Sequence, residues 1–250
     1  MHPSPGHGVR QSTLLETHWA SPESSAHDLA HWIARQLHQA IDRQGHALLS
    51  VSGGKSPVPL FHALSEMALP WDRVTVTLVD ERQVDESHEA SNARLVREHL
   101  LRGAAQSARF VSLVGPQGVS SKPDWAQRVA DADRRLRELG PADVMVLGMG
   151  LDGHTASLFT NAKGWALATD LQQSRCCLSI EPDPPPADAP FHRISQTLAH
   201  ILRSRQLVLP VNGERKRAVL EQALENPASS LPIAAVLHQP STPLLLWITP

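Results

Sequence analysis

The sequence has little net charge and no long apolar run. Its formal net charge is only −2 over 250 residues, so it offers no electrostatic attraction for nucleic acid or for an anionic membrane. No apolar run approaches the roughly 20 residues that span a bilayer, and the polar residues 1–12 lack the apolar centre of a signal peptide. We therefore expect a cytoplasmic protein with neither a nucleic-acid nor a membrane partner.

Cysteine is also scarce, since Cys176 and Cys177 are the only two. Neighbouring residues on a probable strand point to opposite faces, so a bridge between them would be strained, and we expect both to be reduced. His27 and His31 are four residues apart, but no third ligand follows and a His-Glu-x-x-His motif is absent, which favours exposed helix surface over a metal site. We expect no metal and no cofactor.

Strand-like and helix-like runs alternate along most of the chain. The predicted strands are 46–52, 74–80, 109–114, 144–149, 206–211 and 244–249. The predicted helices are 21–45, 57–67, 91–101, 123–139, a short one from 154, 197–204 and 214–225. Short apolar strands that alternate with helices are typical of an α/β fold with a mainly parallel sheet between helices. We expect a flexible tail over residues 1–15 and one domain over residues 16–250.

A glycine-rich segment, Gly148–Phe159, follows the apolar run at 144–147. Its glycines let the backbone approach a ligand closely. His154 is the one side chain in the turn whose unperturbed pKa suits proton transfer near neutrality. The segment therefore indicates catalysis, although a tight turn with a capping histidine is the simpler alternative.

A second segment, Ser52–Pro57, also follows an apolar run and precedes a helix-like stretch. Paired glycines expose backbone N–H groups, and a helix N-terminus adds positive potential, so this loop can bind an anion. The Walker motif needs a glycine five residues before Gly54, where Leu49 stands, which argues against ATP or GTP. An ordinary strand-to-helix loop is the alternative.

The third segment, Asp80–Val84, crowds charges at the end of a strand. Alone, such a triplet is most often a solvated turn. Ligands of open α/β sheets bind at the carboxyl ends of the strands, and three strand ends here carry chemically useful groups. We therefore expect one crevice to hold all three segments.

Together these segments resemble the 6-phosphogluconolactonases, over roughly residue 20 to the end. The resemblance rests on residues 52–57, residues 80–84 with Ser91 and Asn92, residues 148–159, residues 193–195 and residues 213–216. It implies a Rossmann-like three-layer αβα sandwich of the deaminase/ribose-phosphate-isomerase type. It also implies hydrolysis of 6-phospho-D-glucono-1,5-lactone to 6-phospho-D-gluconate, the second step of the oxidative pentose phosphate pathway, by a monomer or small homo-oligomer.

Lactone hydrolysis needs an activated water, stabilised charge on the carbonyl oxygen and a proton for the ring oxygen. We predict His154 as general base, with Asp152 either orienting it or bonding backbone amides. Arg82 would contact the carbonyl oxygen or sugar hydroxyls, and Asp80 would hold Arg82 or accept from hydroxyls. Glu81 is expected to face away. The residues predicted to bind the phosphate are Gly53, Gly54, Lys55, Ser56, Arg193 and Lys216.

Three alternatives remain open. Residues 148–153 satisfy a dinucleotide-binding pattern with Asp170 at a fitting distance, although that aspartate lies in a stretch without strand character. The related glucosamine-6-phosphate deaminase/isomerases share the Asp-Gly-His core. A non-catalytic sugar-phosphate sensor is the third alternative, but no helix-turn-helix segment is evident.

Overall fold

Residues 15–115, 124–187 and 189–250 are described by the computed structural model. Seven strands form a parallel sheet in the order β1-β10-β9-β6-β2-β3-β5. Three more form an antiparallel sheet in the order β4-β8-β7. The strands are β1 Leu15–Trp19, β2 Ala47–Val51, β3 Val74–Leu78, β4 Asp80–Arg82, β5 Arg109–Val111, β6 Val144–Val146, β7 Cys177–Ile180, β8 Arg193–Gln196, β9 Leu207–Asn212 and β10 Leu244–Thr249.

The helices connect these strands, as the alternating pattern predicts. The longest, α1, buries Leu29, Ile33 and Leu37 at helical spacing and ends at Gly45, whose φ of 84° is the left-handed conformation that glycine favours. The helices are α1 Ser25–Gln44, α2 Val58–Ser65, α3 Asn92–His99, α4 Trp125–Leu139, α5 Trp165–Thr169, α6 Leu198–Ile201, α7 Glu214–Glu225 and α8 Ala234–Leu237.

Two hydrophobic clusters lie on the two faces of the large sheet. Because strand side chains alternate, Leu49 and Val51 of β2 join one cluster with α1, α2 and α3. Leu48 of the same strand joins the other cluster with α6, α7 and α8. The sheet is therefore buried on both faces between helices, which confirms the predicted three-layer αβα fold.

Several features differ from the sequence prediction. The predicted strand 74–80 divides, because the chain leaves the large sheet after Leu78 and β4 pairs with β8 in the small sheet. The helix predicted from residue 154 is wrong. Residues 155–158 form a tight turn in which Leu158 N–H donates to Thr155 O, and Ala156 has a φ of +51°, which an α-helix cannot contain. The edge strand β1, the strand β8 of the small sheet and the short helices α5 and α8 were not predicted.

Part of the predicted structure lies outside the described residues. Residues 1–14 of the predicted flexible tail and residue 123 of the predicted fourth helix lie outside the described residues. Cys176 and Cys177 are buried free thiols. Within the described ranges, no helix is both long enough and apolar enough to cross a membrane.

Candidate active site

A cavity of about 520 Å³ lies at the carboxyl ends of β2, β6, β9 and β10. In the large sheet, β3 and β5 follow on one side of β2, whereas β6 and the later strands lie on its other side. The order in which strands are added to the sheet therefore reverses between β2 and β6. Such a switch point is where open α/β sheets form binding crevices. Most of the predicted site residues line this cavity, namely Gly53, Gly54, Ser56, Asp80, Arg82, His154 and Lys216.

His154 is held by two neighbours in the loop after β6. Its Nδ1 lies 2.5 Å from Asp152 Oδ1, which also accepts the His154 backbone N–H at 3.2 Å. Asp152 thus contacts both the imidazole and a backbone amide, the two alternatives that the sequence left open. The Phe159 ring packs against the imidazole, with ring centroids 4.4 Å apart and an interplanar angle of 35°. The hydrogen bond from His154 holds the pKa of Asp152 below its usual value, so Asp152 is a carboxylate that accepts a hydrogen bond from the Nδ1 N–H.

Gly150 makes room for this arrangement. A side chain at Gly150 would overlap both the His154 imidazole and the Asp152 carboxylate. The Gly150 N–H also donates to His154 O at 2.9 Å, which closes the loop on itself. The glycine is therefore required because a histidine side chain packs directly on its Cα.

Asp80 and Arg82 line the cavity from β4, and each side chain is held by a different partner. The Asp80 Oδ2 accepts a short hydrogen bond from Ser157 Oγ. Arg82 Nη1 donates to Ala90 O at 2.6 Å. Of the two roles predicted for Asp80, holding Arg82 is therefore not the one seen, since the two side chains have separate partners. Accepting from substrate hydroxyls stays a prediction.

Glu81 points away from the cavity, as alternation along β4 requires, and is fully buried. Its carboxylate accepts the backbone N–H groups of Arg82, Asn92 and Ala93 at 2.7–2.8 Å, and the Ser91 hydroxyl at 3.1 Å. Burial raises the pKa of Glu81 to about 7, whereas the N–H donors lower it. Glu81 therefore ties β4 to the N-terminus of α3.

The loop after β2 and the first turn of α7 line the cavity together. Ser52 Oγ accepts the Gly148 N–H at 3.0 Å, so it joins the two glycine-rich loops. Lys216 Nζ, from the first turn of α7, lies 3.3 Å from Ser56 Oγ. Partial burial lowers the pKa of Lys216. A lysine, a hydroxyl and the amides at the N-terminus of α2 are together suited to an anion.

Two predicted phosphate ligands lie elsewhere. Lys55 is exposed and is not part of the cavity lining. Arg193 is buried on β8, opposite Arg82 in the strand ladder, and its Nη2 donates to Ala189 O at 2.9 Å. It too lies outside the lining. Their roles in phosphate binding stay predictions.

The sequence reasoning assigned no role to several residues that shape the site. Asn92 lines the cavity and donates to Asp80 O at 2.9 Å, while Ser157 and Phe159 contact Asp80 and His154. All three belong to the segments that carry the resemblance, which was the only available signal. A local pattern does not show which distant side chain each one meets.

The chain matches the family described as glucosamine-6-phosphate isomerases/6-phosphogluconolactonase over residues 20–247. It belongs to this family, as the resemblance predicted. Among its relatives, 6-phosphogluconolactonase of Pseudomonas aeruginosa is 46% identical over 226 residues, which are 90% of this chain and 91% of the relative. That of Neisseria meningitidis is 39% identical over 216 residues, 86% of this chain and 90% of the relative.

Solved structures agree with these relatives. The crystal structure of a 6-phosphogluconolactonase from Shewanella baltica superposes with a TM-score of 0.84 at 38% identity, covering 97% of this chain and all of that one. The likeness therefore extends over the whole αβα fold, including the strand ends that form the cavity.

Proposed function

We propose that this chain hydrolyses 6-phospho-D-glucono-1,5-lactone to 6-phospho-D-gluconate, with His154 as general base. The observation that carries the proposal is the bond between Nδ1 of His154, which lines the cavity, and the Asp152 carboxylate. A carboxylate can only accept, so Nδ1 carries a proton, and in the neutral imidazole Nε2 then keeps its lone pair. That tautomer can remove a proton from water.

The reaction then proceeds in two balanced steps. Nε2 takes a proton from water while the water oxygen bonds to the lactone carbonyl carbon, and the carbonyl electrons move to its oxygen. Arg82, at the cavity wall, stabilises this negative charge. When the carbonyl reforms, the bond to the ring oxygen breaks, and that oxygen receives the proton from Nε2. The product acid releases a proton to solvent at neutral pH.

The 6-phosphate would bind where the loop after β2 meets α7. Lys216, Ser56, Gly53 and Gly54 all line the cavity, and Lys216 Nζ lies 3.3 Å from Ser56 Oγ in the loop that contains the two glycines. Because the whole chain carries a net charge of only −2, attraction for a phosphate ester depends on such local groups. The relatives named 6-phosphogluconolactonase support this substrate and a cytoplasmic role in the oxidative pentose phosphate pathway.

The test is proton release from freshly made 6-phosphogluconolactone, corrected for spontaneous opening. We expect the wild type to accelerate hydrolysis and His154→Ala to lose at least about a hundredfold in kcat, the range of a lost general base. His46→Ala is the matched control, because His46 is exposed and precedes β2 at the end opposite the cavity. It should retain wild-type kcat.

Each other outcome has a defined meaning. An active wild type with an unimpaired His154→Ala variant would overturn the general-base assignment while leaving the lactonase activity standing. A folded wild type that does not accelerate hydrolysis would overturn the function. Ammonia release from glucosamine 6-phosphate would then be measured, as the activity of the other branch of the family.

A further inference from the structure

The turn that follows His154 has an unusual backbone. Ala156 has a φ of +51°, a left-handed conformation that costs free energy in a residue with a Cβ. The turn is closed by the hydrogen bond from Leu158 N–H to Thr155 O at 2.9 Å. Strained backbone of this kind persists only where surrounding contacts hold it, and it concentrates at functional sites. The next residue, Ser157, supplies such contacts.

Ser157 is almost fully buried and is held at two atoms. Its backbone N–H donates to Ser195 Oγ at 3.1 Å, and the Ser195 hydroxyl donates onward to Gln196 O at 3.1 Å. Its own hydroxyl donates to Asp80 Oδ2. Ser195 also lies directly opposite Asp80 in the ladder between β4 and β8. The strained turn is thus fastened to the small sheet, and its hydroxyl is aimed at one carboxylate oxygen.

This bond restricts what Asp80 can do. Asp80 is 8% exposed and lines the cavity, and a carboxylate whose Oδ2 is taken by a buried hydroxyl can no longer rotate freely. Oδ1 is the oxygen that it can offer to a ligand, and an ionised carboxylate only accepts. The ligand group that it meets must therefore be a donor.

We infer that Ser157 is a positioning residue which orients Asp80 so that Oδ1 accepts the lactone hydroxyl next to the reacting carbonyl, on C2. This rests on the proposed function, because His154 defines where the carbonyl lies. His154 and Ser157 are three residues apart in one turn, and Ser157 contacts Asp80. Asp80 and His154 line the same cavity, and the hydroxyl that we assign to Asp80 is the one nearest to the carbonyl.

The inference predicts a dependence on substrate that a purely structural serine would not show. A site that hydrogen-bonds a hydroxyl discriminates strongly against an analogue that lacks it. We would measure kcat and KM of the wild type and Ser157→Ala on 6-phosphogluconolactone and on its 2-deoxy analogue. Ser157→Ala should lower kcat/KM at least about tenfold on the parent lactone, the size expected for a bond to a charged group, and less than about threefold on the analogue.

Two further variants keep the test decisive. Ser157→Cys preserves the shape with a weak donor, so it replaces Ser157→Ala if circular dichroism shows that the alanine variant is unfolded. Ser179→Ala is the matched control, because Ser179 lies on β7 of the same small sheet and is exposed. It should behave as the wild type on both substrates.

Equal losses on both lactones would show that Ser157 only supports the fold, and an unchanged kcat/KM on the parent lactone would show that it does not position Asp80. Either result overturns the inference. Failure of the proposed function itself would look different, because the wild type would then accelerate neither substrate.

Discussion

The Asn92 carboxamide lies directly against Gly53, so closely that a Cβ on Gly53 would overlap it. Asn92 donates from its Nδ2 to Asp80 O at 2.9 Å. The buried Asn92 side chain therefore lies between the loop after β2 and the start of β4 and contacts both. This contact joins two of the three segments that the sequence assigned to one crevice.

Gly53→Ala should therefore destabilise the protein by about 1–3 kcal/mol, the usual cost of an overpacked buried site. Urea unfolding measures the change. The double variant Gly53→Ala with Asn92→Ala should recover part of the loss relative to Gly53→Ala, because the overlapping group is gone. Gly148→Ala is the control, since its Cβ would meet Ser52 only at an ordinary 3.6 Å. A Gly53→Ala variant as stable as the wild type would contradict the packing argument.

Asp152→Ala should lower kcat by about tenfold or more, with a smaller change in KM. The variant removes the acceptor that selects the Nδ1–H tautomer of His154 and that stabilises its protonated form during the reaction. Steady-state proton release measures both constants.

The control for Asp152→Ala is Asp170→Ala. Asp170 Oδ1 accepts the backbone N–H two residues ahead, on Gln172 at 2.9 Å, just as Asp152 does with His154. It therefore reports the cost of losing such a turn bond alone. Equal kcat values for the two variants would argue against a role of Asp152 in orienting His154.

Lys216→Met should raise KM about tenfold or more while leaving kcat nearly unchanged. A contact with the phosphate is made equally in the bound substrate and in the transition state, so its loss appears in binding, and a cation–phosphate bond contributes about 1.5–3 kcal/mol. Lys55→Met should change KM less than about threefold, because Lys55 is exposed outside the cavity lining.

The same pair of variants tests the sequence prediction for Lys55. A larger effect of Lys55→Met than of Lys216→Met would reverse the assignment. On gluconolactone without a phosphate, wild type and Lys216→Met should have the same kcat/KM, and a difference there would mean that Lys216 acts on something other than the phosphate.

His200 should make stability depend on acid pH. Burial, with a contribution from Arg203, lowers its pKa from 6.5 to about 4. As the pH falls from 6.5 to 4, His200 binds a proton in the unfolded chain but stays neutral in the native state. The stability that His200 contributes is complete above pH 6.5 and should decrease by about 3 kcal/mol over this interval.

Urea unfolding of the wild type and His200→Leu between pH 4 and pH 7 measures this contribution as the difference between the two slopes. The difference is needed because Glu81, whose burial raises its pKa from 4.5 to about 7, acts with the opposite sign: its contribution is complete below pH 4.5 and decreases as the pH rises to 7. His46→Leu, at an exposed position, should keep the wild-type slope. Parallel curves for wild type and His200→Leu would refute the prediction.

Much of the fold followed from local patterns in the sequence. The predicted helix 214–225 and strand 244–249 coincide with α7 and β10, and the strand predicted at 206–211 differs from β9 by one residue at each end. Apolar periodicity and glycine stops are properties of neighbouring residues, so they can be recognised without knowing the path of the chain. The short helix predicted after His154 was wrong because contacts with the small sheet hold the left-handed Ala156.

By itself, the sequence determined the order of the elements and the three strand ends that carry reactive groups. Parallel strands bring their carboxyl ends to one edge, so those segments had to meet. Only the tertiary structure decided the partners within the cavity. Ser157 contacts Asp80 across 77 positions of the chain, and Lys216 lies beside Ser56 across 160. Such pairs depend on how distant segments pack, and that information is not contained in the spacing of either segment.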